Sequence, residues 1–120
     1  MSGERFPRRV YRVGTEPDPR FSLANERTFL AWVRTSIALV TAGMAWAALG
    51  PADPPGARAA TAALLIGLAL VTTARAWSGW TTAEAALRQG RPLPGLRSGA
   101  VLAGGLVIVT VVALLVVVAA

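Results

Sequence analysis

Three long apolar segments constrain the fold of this chain more than any other feature. Residues 59–74 and 99–120 carry no charged side chain, and residues 28–49 carry only Arg34. Each segment is close to the roughly 20 residues that an α-helix needs to cross the ~30 Å hydrocarbon layer. Helices of a soluble bundle would show a polar outer face, which these segments lack. The sequence therefore predicts an all-α membrane protein with three spans, at about residues 28–49, 58–80 and 98–119.

The arginines predict how these spans are oriented. All twelve basic residues are arginine, and seven of them precede the first span or lie near its start. Four more flank the second loop, whereas the first loop has only Arg58. By the positive-inside rule the N-terminus is cytoplasmic and the C-terminus lies outside. We expect a multi-pass protein of the cell (plasma or inner) membrane, whose first span also acts as the targeting signal.

The composition argues against several functional classes. The sequence has no histidine and no cysteine, and no acidic residue lies within a predicted span. Histidine and cysteine are the commonest metal ligands, and thiol chemistry needs cysteine. Proton-coupled transporters typically use intramembrane carboxylates or histidine. We expect no enzymatic activity, no cofactor and no bound metal. A nucleic-acid partner is not expected either, because membrane orientation already accounts for most of the arginines.

Residues 1–19 are predicted to form a flexible, exposed basic tail before a three-helix membrane domain at residues 20–120. Ser22 or Asn25 is expected to cap the first helix, with Glu26 in its first turn. The turn at residues 50–56 is rich in proline and glycine and ends this helix.

The second helix is predicted to project about two turns beyond the membrane, as far as Gly90. Glu84 and Arg88 have the i,i+4 spacing of a helical ion pair. Trp77 and Trp80 are expected to be interface anchors at the membrane surface, and Arg75 a third.

One face of the first helix combines two arginines with small side chains. It carries Arg27 and Arg34, and its small members are Ala24, Ala31, Ala38, Thr41, Ala42 and Ala45. The opposite face is bulky and is expected to contact lipid; its members are Phe29, Trp32, Val33, Ile37, Leu39, Val40 and Met44. The small face fits two interpretations equally: close helix packing with arginines that snorkel to the headgroups, or a polar path.

Residues 21–35, Phe-Ser-Leu-Ala-Asn-Glu-Arg-Thr-Phe-Leu-Ala-Trp-Val-Arg-Thr, closely resemble the signature of the YidH-like family of small membrane proteins. This is domain of unknown function family 202. The stretch from Glu84 to Pro94, with Gly-Arg-Pro-Leu-Pro before the last span, is also similar to that family. The resemblance covers about residue 18 to the C-terminus.

The same domain is similar to the membrane part of the vacuolar transporter chaperone, which makes polyphosphate and passes it through a membrane. That similarity implies a ring of three-helix units whose basic residues contact the polyanion. The matching positions here are Arg20, Arg27 and Arg97. Arg34 has an uncharged counterpart in the smallest chaperone subunit. The chaperone's soluble domains are absent, so polymer synthesis is not implied.

We therefore expect a homo-oligomeric channel or transport component for an anion or for a polyanion of the polyphosphate type, with a phosphate-containing anion as a possible partner. Arg20, Arg27 and Arg97 would attract the anion at the cytoplasmic mouth, and Arg34 would line the entry. The alternative is a non-conducting scaffold or accessory subunit of another membrane protein. In that case the small face would pack against the partner, and residues 81–89 would offer a docking surface.

Overall fold

The computed structural model describes residues 5–52, 54–95 and 97–120. Over these ranges the chain forms a short helix α1 (Arg8–Tyr11) and three long helices: α2 (Pro19–Leu49), α3 (Ala57–Gln89) and α4 (Arg97–Ala119). Each long helix contains a stretch long and apolar enough to cross a membrane. The predicted all-α class with three spans is thereby confirmed.

Helix α2 begins earlier than the sequence analysis predicted. It begins at Pro19, and the Asp18 carboxylate accepts a hydrogen bond of 2.9 Å from the backbone N–H of Arg20. Proline suits the first helical position because its missing N–H would have no partner there and its φ is already helical. Asp18 is thus the N-cap, and the prediction that Ser22 or Asn25 caps the helix was wrong.

Helix α3 is central and packs against both α2 and α4, whereas the described backbones of α2 and α4 are not in contact with each other. The shared core contains Leu39 of α2, Leu68 and Ala69 of α3, and Val109 of α4. At Gly43, α2 comes so close to α3 that an added Cβ would lie 2.7 Å from Ile66 Cγ1. This arrangement leaves a cleft between α2 and α4.

The two faces of α2 do not divide as the sequence predicted. Much of the bulky face turns toward α3: Leu39 is buried, and Trp32 and Val33 are half-buried. Other bulky members of that face are exposed, namely Ile37, Val40 and Met44. The small face is exposed along its whole length, so it does not pack against another helix of the same chain.

The N-terminal segment packs on the end of α3. The structure begins to describe it at Arg5, and it contains helix α1, whose Val10 is 2% exposed. Arg88 of α3 donates hydrogen bonds to the carbonyl oxygens of Val13 (2.9 Å) and Tyr11 (3.2 Å). It also forms an ion pair of 2.8 Å with Glu16. Residues 5–16 thus contact α3 at several points, although most of them are exposed and lie outside α1, as expected for the predicted tail.

Substitution of Gly43 by alanine should separate α2 from α3. The new Cβ would meet Ile66 Cγ1 at 2.7 Å and the carbonyl oxygen of Ala62 at 3.2 Å. Overpacking of this kind costs about 1–3 kcal/mol. Thermal unfolding in detergent should show a lower midpoint for Gly43→Ala. Gly67→Ala is the matched control, since nothing lies within 4 Å of its Cβ. Equal midpoints for the two variants would contradict the close approach.

Docking of the N-terminal segment should weaken in acid. Hydrogen bonds from Arg5 and Arg88 lower the pKa of Glu16 from 4.5 to about 2. A lowered pKa in the docked state means that Glu16 stabilises docking fully above pH 4.5 and that this contribution is lost as the pH falls toward 2. Phe6 and Tyr11 contact Trp77 and Trp80, so tryptophan fluorescence in detergent reports the transition.

Glu16→Gln should resemble the acid form already at neutral pH, whereas Glu26→Gln, on the exposed side of α2, should titrate like the native chain. An unchanged acid transition in Glu16→Gln would show that Glu16 does not control docking.

Candidate functional site at the basic end of the bundle

The signature segment joins α2 to α3 through a buried carboxylate. Glu84 is 3% exposed and accepts hydrogen bonds from Ser22 Oγ (2.7 Å) and Asn25 Nδ2 (3.2 Å). Asn25 Nδ2 also donates to the carbonyl oxygen of Trp80 at 3.1 Å. Ser22 and Asn25 are one turn apart, so their side chains lie on the same face of α2. Their role is to fix α2 against α3, and Asn25 lies well inside the helix that it was predicted to cap.

Glu84 and Arg88 do not form the predicted pair. Arg88 instead binds the N-terminal segment and is 8% exposed. Thr81 is also buried, and the N–H of Thr15 donates to the carbonyl oxygen of Arg88 at 2.9 Å. The chain's own N-terminus thus covers part of the surface at residues 81–89 that the scaffold hypothesis needed for docking.

Five aromatic rings form a cluster at this end of the bundle. Trp77 and Trp80 stack with centroids 5.6 Å apart, and Phe29 contacts both at 6.4 Å. Phe6 stacks on Trp77, and Tyr11 lies 6.5 Å from Trp80. The two tryptophans predicted as interface anchors therefore also hold the N-terminal segment in place, a contact that the sequence analysis missed.

Three of the predicted anion-binding residues form a row on α2, which we call the arginine row: Arg20, Arg27 and Arg34. Their spacing of seven residues is close to two helical turns, so the row follows one face. All three are exposed, and the row lies on the opposite side of α2 from the residues that contact α3. Arg20 forms an ion pair of 2.8 Å with Asp18 and lowers the pKa of that carboxyl. The described residues provide no hydrogen bond or ion pair to the guanidinium group of Arg27 or Arg34.

The fourth predicted anion-binding residue, Arg97, lies apart from this row. It lines a cleft of about 470 Å³ between α2, α3 and the start of α4, together with Arg75. Of the four predicted anion-binding arginines, only Arg97 lines this cleft, and it shares the cleft with Arg75, which was predicted as an anchor. Glu26 is exposed on α2.

Replacing Asn25 with leucine should destabilise the protein. The change removes the bonds to Glu84 and to the carbonyl oxygen of Trp80, leaving buried acceptors with fewer donors. Loss of a buried hydrogen-bond partner costs about 1–3 kcal/mol. Thermal unfolding in detergent should therefore show a clear drop for Asn25→Leu and little change for Glu26→Gln at the neighbouring, exposed position. A similar shift in both variants would contradict a bridging role for Asn25.

Comparison with known proteins identifies the family. The model of the domain of unknown function DUF202 matches residues 20–86. Uncharacterized protein Rv2272 of Mycobacterium tuberculosis is 47% identical over 105 residues, covering 87% of this chain and 86% of that protein. Inner membrane protein YidH of Escherichia coli (strain K12) is 38% identical over 109 residues, covering 87% and 91%. No solved structure is significantly similar to the chain. With its three candidate spans, the chain is an integral, multi-pass inner-membrane protein and belongs to the DUF202 family.

Proposed function

We propose that the protein is a homo-oligomeric, anion-conducting component of the membrane, with the arginine row at the cytoplasmic mouth of the path. The observation that carries the proposal is the exposure of Arg27 and Arg34 on a face of α2 that the chain itself leaves uncovered. The orientation follows from the positive-inside rule and places this end of α2 in the cytoplasmic half of the membrane.

Exposure of Arg34 to lipid would be unfavourable in a single chain. Arg34 lies 15 residues after Pro19, about 22 Å along the helix axis. An arginine at the centre of a membrane helix costs about 2.5–3.5 kcal/mol, and snorkelling lowers this cost nearer the surface. Contact with water or with another subunit would remove much of the remaining cost. Burial of this face against further copies is therefore favourable.

The neighbours of the arginines suit such an interface. Between and beyond them the exposed face carries Ala31, Ala38 and Ala45. Small side chains let helix backbones approach closely in lipid, where van der Waals packing drives association. Several copies are also required by size, since three helices are too few to enclose a pore.

Arginine favours a phosphate-containing anion. Its planar guanidinium donates two parallel hydrogen bonds to phosphate, and it keeps its charge at every physiological pH. Glu26 is the only acidic residue in α2, so little on this helix opposes an anion. The resemblance of the signature to the membrane part of the vacuolar transporter chaperone supports polyphosphate as one candidate.

The assembly can be tested with single cysteines, because the native chain has none. Ala31→Cys lies on the face of the arginine row, and Ala74→Cys is an exposed position on α3. Oxidation in native membranes should crosslink Ala31→Cys to a second copy and leave Ala74→Cys monomeric. The mass of the native protein in native-lipid nanodiscs should correspond to four or more copies. A monomer or dimer would leave no room for a path and would favour the scaffold alternative.

Conduction is tested by anion efflux from proteoliposomes, with inorganic phosphate and short-chain polyphosphate as separate probes. Arg27→Gln and Arg34→Gln should each lower efflux about tenfold, the effect of losing about 1.5 kcal/mol of charged hydrogen bonding. Arg12→Gln removes the same charge from an exposed position in the N-terminal segment and should leave efflux near the native rate. Unchanged efflux in both row variants would overturn the proposal.

A further inference from the structure

The cleft that contains Arg75 and Arg97 is open on one side. Its walls are α2, α3 and the start of α4, and its volume is about 470 Å³. The described backbones of α2 and α4 are not in contact, so these two helices do not close the cleft by packing on each other. In a spanning protein, the part of such a cleft that lies at membrane depth can be reached from the bilayer.

The cleft combines a basic part with an apolar part. Arg75 and Arg97 are exposed, and the described residues provide neither guanidinium group with a hydrogen bond or an ion pair. The described residues that line the cleft include no acidic side chain, while Thr28, Ser78 and Thr82 supply hydroxyl groups. Much of the remaining wall is apolar or aromatic, with Phe21, Phe29, Trp32, Leu87 and Leu93. Two unpaired guanidinium groups beside aromatic walls favour a ligand with an anionic head and an apolar body.

The depth of the two arginines agrees with such a ligand. Trp80 also lines the cleft, and tryptophans of this kind lie at headgroup level. Arg75 precedes Trp80 by five residues, about 7.5 Å along α3 toward the middle of the membrane. An arginine side chain is long enough to reach back toward the headgroups from there. The guanidinium groups therefore lie near the level of lipid phosphates.

We propose that this cleft binds an anionic glycerophospholipid. Its phosphate would accept hydrogen bonds from Arg75 and Arg97, and one acyl chain would lie between α2 and α4 against Phe29 and Trp32. None of the three residues of the arginine row lines the cleft, so the site does not depend on the proposed conduction.

The test measures lipid retention by native mass spectrometry after release from nanodiscs of phosphatidylcholine with a minor fraction of phosphatidylglycerol. The native protein should retain phosphatidylglycerol in preference to phosphatidylcholine. Arg75→Gln and Arg97→Gln should each lower this preference about fivefold, the effect of about 1 kcal/mol per basic residue near a lipid surface. Arg34→Gln removes the same charge from a residue that does not line the cleft and should leave the preference unchanged. Equal losses in all three variants would show general attraction by arginine and would overturn the site.

A second variant fills the cleft without changing its charge. Gly79 lines the cleft, and nothing lies within 4 Å of a Cβ added to it. Gly79→Leu should therefore fold, keep both arginines and still lose retained phosphatidylglycerol. Retention at the native level in Gly79→Leu would contradict an acyl chain in the cleft.

Free phosphate would accept the same hydrogen bonds from Arg75 and Arg97 as the phosphate of a lipid. Inorganic phosphate is therefore added to native protein in nanodiscs that contain phosphatidylglycerol. Retention of the lipid in excess phosphate supports the lipid site. Displacement of the lipid by phosphate at the same arginines would assign the cleft to a soluble anion and overturn the lipid proposal.

Discussion

The contact between α2 and α3 determines which faces of the helices are exposed. At the basic end, Ser22 and Asn25 bind the buried Glu84, and farther along Gly43 lets the two backbones approach closely. A charged or polar group is costly in a low-dielectric interior unless its partners are present, so these bonds specify both register and rotation. With α2 fixed in this rotation, its alanines and arginines must face outward.

The sequence predicted the three spans because the bilayer imposes a length and a polarity that hydropathy reflects directly. The sequence did not predict side-chain contacts between residues that are distant along the chain. Glu84 and Arg88 have the spacing of a pair, but the partners of Glu84 are 59 and 62 residues away, and Arg88 binds residues 72 to 77 positions away. Helical spacing describes neighbours on one helix, and these contacts form only when α2 and the N-terminal segment dock on α3.

The sequence likewise predicted only part of the candidate site. The seven-residue spacing of Arg27 and Arg34 predicted that they share a face, and both are exposed on that face. Arg20 joins their row because α2 begins at Pro19, earlier than predicted. That Arg97 lines a cleft together with Arg75 was not predictable, because it depends on how α2, α3 and the start of α4 pack. The order of charges along one chain does not contain the relative positions of its helices.

Docking of the N-terminal segment limits where the protein can bind a partner. Arg88 lies in the last turn of α3, where a cation is favoured by the helix dipole, and it is fully engaged by backbone carbonyls and Glu16. The aromatic cluster occupies the neighbouring surface of Trp77 and Trp80. The arginines on α2 and in the cleft are different, because the described residues leave the guanidinium groups of Arg27, Arg34, Arg75 and Arg97 without hydrogen bonds or ion pairs. An unpaired guanidinium near lipid favours an anionic acceptor, and both the proposed conduction path and the proposed lipid site depend on that preference.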